Sequence, residues 1–352
     1  MKKEPIDQME NIKRNTNPIK FFVALRGEKP PQEYIRLAKI IEDLGYDRIY
    51  VYDDLMFYSS SQILTLIAEH TKKIELGPCQ VNGYYRHPAI IAQEAAFLEE
   101  MAPGRTILGI GRGAFFDFYN MENSEEHTRI GALETTQQVN RLLAGNKEEL
   151  YSTRFQATEK AFLRVPKPSR KVPVVIGSWN AKMAAIAGEH AEELQVAGVW
   201  NETYLQELKS SFVDNSPVGS TKKFNIGGMS CISDDKQKAC HVAKDTVAIY
   251  IPYLNTLIQK NGYDSNSDYF QEIFENSRKG DYKKSASLIS DEVIQGLSLV
   301  GTPEEIVARI RLLHDKIGID GIMMSPPYGA GTMEENLELI MNKVVKVINS
   351  GS

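Results

Sequence analysis

Cysteine is scarce in this chain: three in 352 residues (Cys79, Cys231, Cys240), with no CxxC spacing and no even set. That argues against a disulfide-stapled framework or a zinc site and for a reducing compartment, the cytoplasm. No apolar run approaches the roughly 18 residues that mark a membrane-spanning helix. There is no basic excess either: 41 Lys and Arg stand against 46 Asp and Glu, a net charge of −5, which speaks against a nucleic-acid or anionic-membrane surface. The six histidines are scattered, with no HxH or HExxH. GxSxG is missing, so there is no serine-hydrolase elbow, and without GxxxxGK[ST] there is no phosphate loop.

What is present is an ordinary globular composition, 42% hydrophobic and 25% charged, arranged in a regular rhythm. After a polar arm (residues 1–18), short β-rich runs alternate with helical patterns. IKFFVAL (19–25), DRIYVYD (47–53), IELGPCQV (74–81) and RTILGIG (105–111) each precede an amphipathic stretch. In the first of these, Tyr34, Leu37, Ala38, Ile41 and Leu44 fall at helical spacing. VPVVIGS (172–178), ELQVAGV (193–199), KFNIGGMSCIS (223–233) and DGIMMSP (320–326) continue the series. Thr302 and Glu305 have capping-box spacing around Pro303.

Strict βα alternation implies a parallel sheet with right-handed crossovers, and eight units predict a (β/α)8 TIM barrel with insertions. The reading is a single barrel domain over 19–352. Its extra length lies in a hairpin-like segment at 146–171 and a polar helical stretch at 254–298, the latter a lid, a disordered segment or an added helical layer. Chemistry in a barrel sits where strands end, which gathers Arg26, Asp53, Asp54, Cys79, Asn82, Gly111–Ala114, Gly177–Trp179 and Ala197–Trp200 into one ring. That ring has no strand-end lysine for a Schiff base, and Asp53 and Asp54 are its only carboxylates for a metal. A rim so poor in acids, bases and ligands points to an organic cofactor, with no metal expected.

Several rim features read two ways. Gly109-Ile-Gly-Arg-Gly113 either lets backbone approach a flat or phosphorylated ligand or simply makes a tight turn. Of Asp53 and Asp54, adjacent at a strand end, only one can enter the barrel mouth; the alternative is a helix cap or a surface ion pair. Trp179 and Trp200 wall a planar ring or cover the core, and Cys79 by itself is a small apolar filler.

Taken together, LAKIIEDLGYDRIYVYDD, IELGPCQVNGYYRHPAIIAQEAAFLEEMAPGRTILGIGRGA, VPVVIGSWNAKMAAIAGEHAE and GTPEEIVARIRLLHDKIGIDGIMMSPP resemble the bacterial-luciferase-like superfamily of flavin and deazaflavin oxidoreductases. The pattern is most similar to the branch containing methylenetetrahydromethanopterin reductase. The resemblance implies a non-proline cis peptide at Cys79–Gln80 backing the cofactor ring, Asn82 at the ring edge and Asp53 as the aspartate of the second strand. It implies Gly111, Arg112, Gly113 and Ala114 beside the cofactor's side chain. Gly177, Ser178 and Trp179, with Ala197, Gly198 and Trp200, would receive its phosphate end.

The departures bear on function. Many relatives have Asp-His where Asp53-Asp54 stands. The glutamate and lysine of sugar-phosphate-oxidising relatives are absent at Ala114 and near Trp200. The rim is aromatic instead (Phe57, Tyr58, Tyr84, Tyr85, Phe115, Phe116, Phe118, Tyr119), which suits a flat or apolar substrate. Asp54 is the first candidate acid/base and Tyr84 the second. The leading expectation is an FMN-dependent monooxygenase acting on a small organic molecule, with a separate flavin reductase as partner. The alternatives are a coenzyme F420-dependent reductase acting on a pterin-like or other acceptor, a non-catalytic flavin-binding barrel, and a metal-dependent hydrolase using Asp53 and Asp54. Relatives of this kind pair through the second and third βα units, so a homodimer is expected, with Ile63, Leu66 and Ile67 or Ile90, Ile91 and Phe97 as its face.

Overall fold

The short β-rich runs become the staves of one parallel sheet. The computed structural model describes residues 18–113, 119–121, 124–329 and 331–350; the polar arm up to residue 17, Ala114, Phe115, Phe116 and Phe118 lie outside them. Its strands are β1 (Lys20–Leu25), β2 (Arg48–Val51), β3 (Glu75–Pro78), β4 (Val81–Asn82), β5 (Leu108–Gly111), β6 (Leu150–Tyr151), β7 (Gln156–Ala157), β8 (Val174–Gly177), β9 (Glu193–Ala197), β10 (Lys223–Ile232), β11 (Leu299–Gly301) and β12 (Gly321–Tyr328). They run in the order β3-β2-β1-β12-β10-β9-β8-β5-β4, and a parallel bridge between Leu76 and Thr106 brings β3 back beside the β5 stave. β3 and β4 are two halves of one stave, interrupted at Cys79–Gln80, whose peptide bond is cis. Counted so, eight staves close on themselves: the expected (β/α)8 barrel.

Helices α1 (Pro31–Leu44), α2 (Ser60–His70), α3 (Pro88–Met101), α4 (Glu125–Leu143), α5 (Ala181–His190) and α6 (Glu202–Asp214) follow the first six staves in turn. Stave β10 leads to α7 (Lys236–Tyr250), then α8 (Asn255–Lys260), α9 (Asp268–Arg278), α10 (Tyr282–Leu288), α11 (Asp291–Leu297) and α12 (Pro303–Ile317); α13 (Met333–Ile340) follows β12. The capping box forms: Thr302 accepts from the Glu305 amide while Glu305 reaches back to the Thr302 amide. The main core lies between barrel and helices, where Phe21, Val23 and Leu25 of β1 meet faces such as Leu37 and Ile41 of α1.

The two longer segments have separate fates. β6 and β7 pair antiparallel as a hairpin. The 254–298 stretch folds as a helical layer, with α8–α11 packing on α7 around a second core containing Cys240, Val247, Phe270, Phe274 and Ile294. β11, which has no counterpart in the sequence reading, pairs with the far end of β10 at Ser230–Ile232. Three residues directly after a helix carry no periodicity of their own, so only the elongated β10 creates the place for this strand.

Strand parity then assigns the barrel interior. Because Phe21, Val23, Leu25, Ile49, Val51, Leu76, Leu194 and Val196 face the outer core, their alternates point inward. The inner floor holds Arg48, Glu75, Glu193 and Asn225. Arg48 forks onto both Glu193 oxygens (2.7 and 2.9 Å) and onto Glu75 (2.8 and 3.0 Å), and donates to the Tyr50 hydroxyl at 2.6 Å. Asn225 gives Glu193 a further bond at 2.7 Å. Above them Phe22, Tyr50, Cys79 and Met323 form a small apolar cluster with Ala24, Tyr52 and Ala197. The uppermost inward positions are small on most staves: Ala24, Cys79, Gly111, Gly177, Ala197 and Ser325.

Candidate active site

Asp53 and Asp54 turn to opposite sides, as adjacent strand-end residues must. The Asp53 carboxylate accepts from the Ser60 hydroxyl at 2.6 Å and pairs with Arg86 at 3.0 Å, and Arg86 also reaches Glu94. It ties the start of α2 to the loop after β4. Asp54 continues the inward parity of Arg48, Tyr50 and Tyr52 to the mouth. No described side chain bonds its carboxylate, and burial lifts its pKa to about 6; Arg26 opposes that rise and Asp53 adds to it.

Cys79 is buried under the mouth with its thiol against the Met323 sulfur at 3.7 Å, and burial pushes its pKa up to about 12. It is therefore a neutral thiol and no nucleophile. The Gln80 carboxamide lies across the mouth beside Gly111 and Gly177. A Cβ added at Gly177 would stand 1.7 Å from that carboxamide, and one at Gly111 2.2 Å from its oxygen. Gly109 clears the Pro78 carbonyl, which a Cβ would meet at 2.2 Å. So two glycines of the Gly109–Gly113 run serve approaches within the protein, while Gly113 takes a left-handed φ of 70° that only glycine adopts freely. Arg112 is exposed.

Asn82 is engaged by backbone: its Oδ1 accepts from the Tyr84 and Tyr85 amides (2.9 and 3.0 Å), and its Nδ2 donates to the Arg112 carbonyl. It shapes the loop at the ring-edge position. Tyr84 is sandwiched between the His127 ring (centroids 4.2 Å apart) and the Arg154 guanidinium (3.8 Å), which binds the hairpin to the β4 loop. Among the described candidates this geometry serves Asp54 better as an acid/base than Tyr84, whose ring is engaged by His127 and Arg154.

On the far side of the mouth, several amides of the expected phosphate loops already have partners. Ser178 N–H donates to Gln195 O, Gly198 N–H to Gly227 O, and Trp200 N–H to the Asn261 side chain at 2.7 Å. The Ser178 hydroxyl accepts from the Asn180 amide and keeps its own proton to donate. Trp200 is 5% exposed and belongs to the core, whereas Trp179 is half-buried and its carbonyl accepts from Tyr204 at 2.7 Å. Asn261, at the end of α8, is a residue that sequence reasoning missed: it also donates to the Gly198 carbonyl at 2.8 Å, clamping the 198–200 loop from both sides. Replacing it with Ala is expected to loosen that loop, seen as faster amide hydrogen exchange at residues 198–201 with the barrel strands unchanged.

A flat tricyclic ring, the cofactor type that the resemblance implies, fits this mouth. The inward layer around Cys79 is built of small residues, with the Gln80 carboxamide lying against Gly111 and Gly177. Among the described residues several buried polar atoms on β9, β10 and the loop after β9 lack protein partners, namely both Gln195 amide atoms, Trp200 Nε1 and Ser230 Oγ, as in sites that ligand or water completes. Among the described residues no group of three His, Cys, Asp or Glu is placed to hold a metal ion, and no helix is long and apolar enough to cross a membrane.

The sequence model of the luciferase-like monooxygenase family matches residues 17–320. The chain belongs to that family. It is thus an oxidoreductase of the luciferase-like type. Among relatives of this luciferase-like protein, the 5,10-methylenetetrahydromethanopterin reductase of Methanopyrus kandleri is 27% identical over 346 residues, covering 93% of this chain and 98% of the relative. The solved coenzyme F420-dependent tetrahydromethanopterin reductase of Methanopyrus kandleri superposes with a TM-score of 0.82 at 23% identity, over 94% of this chain and 99% of that one. The oxygenating constituent of 3,6-diketocamphane monooxygenase from the CAM plasmid of Pseudomonas putida, a Baeyer–Villiger enzyme solved with FMN, has a TM-score of 0.66 at 15% identity, with coverage of 94% and 99%.

Proposed function

We propose that this luciferase-like protein is a coenzyme F420-dependent reductase, passing hydride between the deazaflavin and a flat organic acceptor at the barrel mouth. The end-to-end likeness to methylenetetrahydromethanopterin reductases carries this reading and reverses the order of expectation from the sequence, which put FMN and monooxygenation first. The bound ring supplies the hydride chemistry. The chain's own residues back it (Cys79, Gln80), wall it (Gly111, Gly177, Ala197) and bring a proton to the acceptor (Asp54). The partners are a small-molecule substrate and a second copy of the chain, in the cytoplasm.

FMN monooxygenation, with its separate reductase, is the second reading, favoured by the FMN-bound structural relative. Thermal unfolding with each cofactor separates the two. Preferential binding to the folded state stabilises by about 2.7 kcal/mol at one hundred times Kd, so F420 is expected to raise the Tm by several degrees and FMN to leave it in place. A shift with FMN alone overturns the proposal. Oxidation of reduced F420 that depends on an added acceptor removes the non-catalytic alternative.

For the homodimer, the described residues favour the α3 side. Ile63, Ile67 and Ile91 are buried against the barrel, whereas Ile90 is 47% and Phe97 55% exposed. Phe97 borders a mostly apolar groove of about 270 Å³ between α2 and α3. A second copy covers this face in our reading. Phe97→Glu is expected to give a monomer with an unchanged fold in sedimentation equilibrium; a wild type that sediments as a monomer refutes it.

A further inference from the structure

Arg26 stands at the top of the first stave in a specific placement. β1 alternates Phe22 and Ala24 into the barrel, and Arg26 is the next residue on that face. Leu25 pairs in register with Val51, and the Tyr52 amide donates to the Leu25 carbonyl at 3.0 Å. Arg26 and Asp54 therefore top two hydrogen-bonded staves, both on the inward face.

The guanidinium is held by aromatic groups. Its carbon lies 5.4 Å from the Phe57 ring centre and 5.5 Å from that of Tyr250, whose hydroxyl accepts from Nη2 at 2.7 Å; the Tyr328 hydroxyl bonds it as well. Among the described residues the one carboxylate within ion-pair range is that of exposed Glu28, 3.6 Å from Nε. Such a frame orients a guanidinium and leaves part of its donor fork open. Asp54 is an electrostatic neighbour, but the two side chains do not close into an ion pair. Of the other groups facing Asp54, Tyr52 and Cys79 are neutral, held well above their ordinary pKa by burial, and the Asp53 carboxylate is occupied by Ser60 and Arg86. Tyr328, beside Arg26, is raised by burial too. Among the described residues Arg26 thus stands as a fixed cation beside the Asp54 carboxyl, which has no hydrogen-bond or ion-pair partner.

We propose that Arg26 and Asp54 form the acceptor subsite, taking a planar organic substrate whose reducible bond ends in an oxygen or nitrogen that carries or develops negative charge. This rests on the reading of the mouth as a hydride-transfer site. Arg26 binds the heteroatom X of a C=X bond against the Phe57 and Tyr250 rings. As the carbon takes hydride from the reduced cofactor, the electron pair of the C=X π bond moves onto X. X then takes the proton of the Asp54 carboxyl, which is left as a carboxylate beside the guanidinium. The substrate gains one hydride, which carries both electrons, and one proton from Asp54; the reduced cofactor gives up that hydride and is thereby oxidised by two electrons.

Benzoate, a flat oxyanion, is the probe. Calorimetric titration into the purified protein, with and without F420, is expected to show binding that weakens at least tenfold in Arg26→Met and less in Arg26→Lys. Wild-type affinity rises as pH falls from 8 to 5.5, because protonating Asp54 removes a repulsive charge. In Asp54→Asn binding is tighter at pH 8 and that pH dependence is lost. A merely structural Arg26 would not produce this coupled pattern. Equal affinity in wild type and Arg26→Met, no binding by the wild type, or an unchanged pH profile in Asp54→Asn overturns the subsite. F420 affinity, read by absorbance, is the separate check: its failure in the wild type sinks the hydride-transfer reading, whereas intact F420 binding with benzoate indifferent to Arg26 sinks the subsite alone. Should Arg26→Met not fold, Arg26→Lys and the Asp54→Asn pH profile decide.

Discussion

Arg48→Met is expected to lower the unfolding free energy by about 3–5 kcal/mol, the usual consequence of leaving a buried partner charge uncompensated. Arg48 is 2% exposed and compensates Glu193 with two bonds and Glu75 with two more. Remove the guanidinium and Glu193 keeps the Asn225 bond alone. Burial pushes the Glu193 carboxyl up, but Arg48 together with Asn225 and Lys20 outweighs it and holds the pKa below the ordinary value. In the wild type this depressed group contributes stability that is present above its unfolded pKa and lost as pH falls through the folded one. In the variant burial, the largest influence on this group, is opposed only by the Asn225 bond and Lys20, so the sign is expected to reverse: Glu193 is raised, and its contribution is lost as pH rises. The gap between the two proteins in urea unfolding is therefore expected to be largest near pH 8 and to narrow toward pH 5. Glu193→Gln added to Arg48→Met is expected to recover part of the loss, since a neutral amide tolerates the floor better than an unpaired carboxylate. A gap under about 1 kcal/mol at pH 8 would contradict the assigned role.

That network also marks where sequence reasoning stops. The barrel was legible because period-2 runs and period-3.6 runs alternate eight times and parallel staves need helical crossovers. Pairing between side chains 145 residues apart has no such periodic signal. The available hint was chemical: Arg48 in RIYV and Glu193 in ELQVA are charges inside buried strands, and buried charges need each other. At the rim, packing gives residues contacts that residue type does not announce. Gly111 and Gly177 stand beside the Gln80 side chain, Asn82 bonds backbone, and Trp200 lies in the core. Opposite facing of Asp53 and Asp54 was readable from strand geometry; that Asp53 is the one tied down required Arg86, 33 residues away. Arg26 was readable too, as the inward residue following FFVAL.

Asp54→Asn is expected to cut the rate of acceptor reduction by about 10²–10⁴, the range for a positioned general acid, with F420 affinity unchanged. The asparagine keeps the shape and removes the transferable proton, so the loss falls on kcat. With a pKa of about 6, the carboxyl is the required acid only on the low-pH side. The wild-type rate of reduction is expected to fall as pH rises through 6, and this limb disappears in the variant. Stability has the same pH sense, but the substitution acts on it with the opposite sign. Because the folded pKa is raised above the ordinary aspartate value, the carboxyl's contribution is complete below its unfolded pKa and lost as pH climbs through 6. At pH 7.5 the ionised Asp54 is thus an unbonded charge beside Asp53 in a half-buried mouth, and the neutral asparagine relieves it. A variant that melts higher at pH 7.5 while turning over more slowly would carry the signature of a group kept for chemistry at the expense of stability. A variant that melts lower with an unaltered pH–rate profile would assign Asp54 to packing instead.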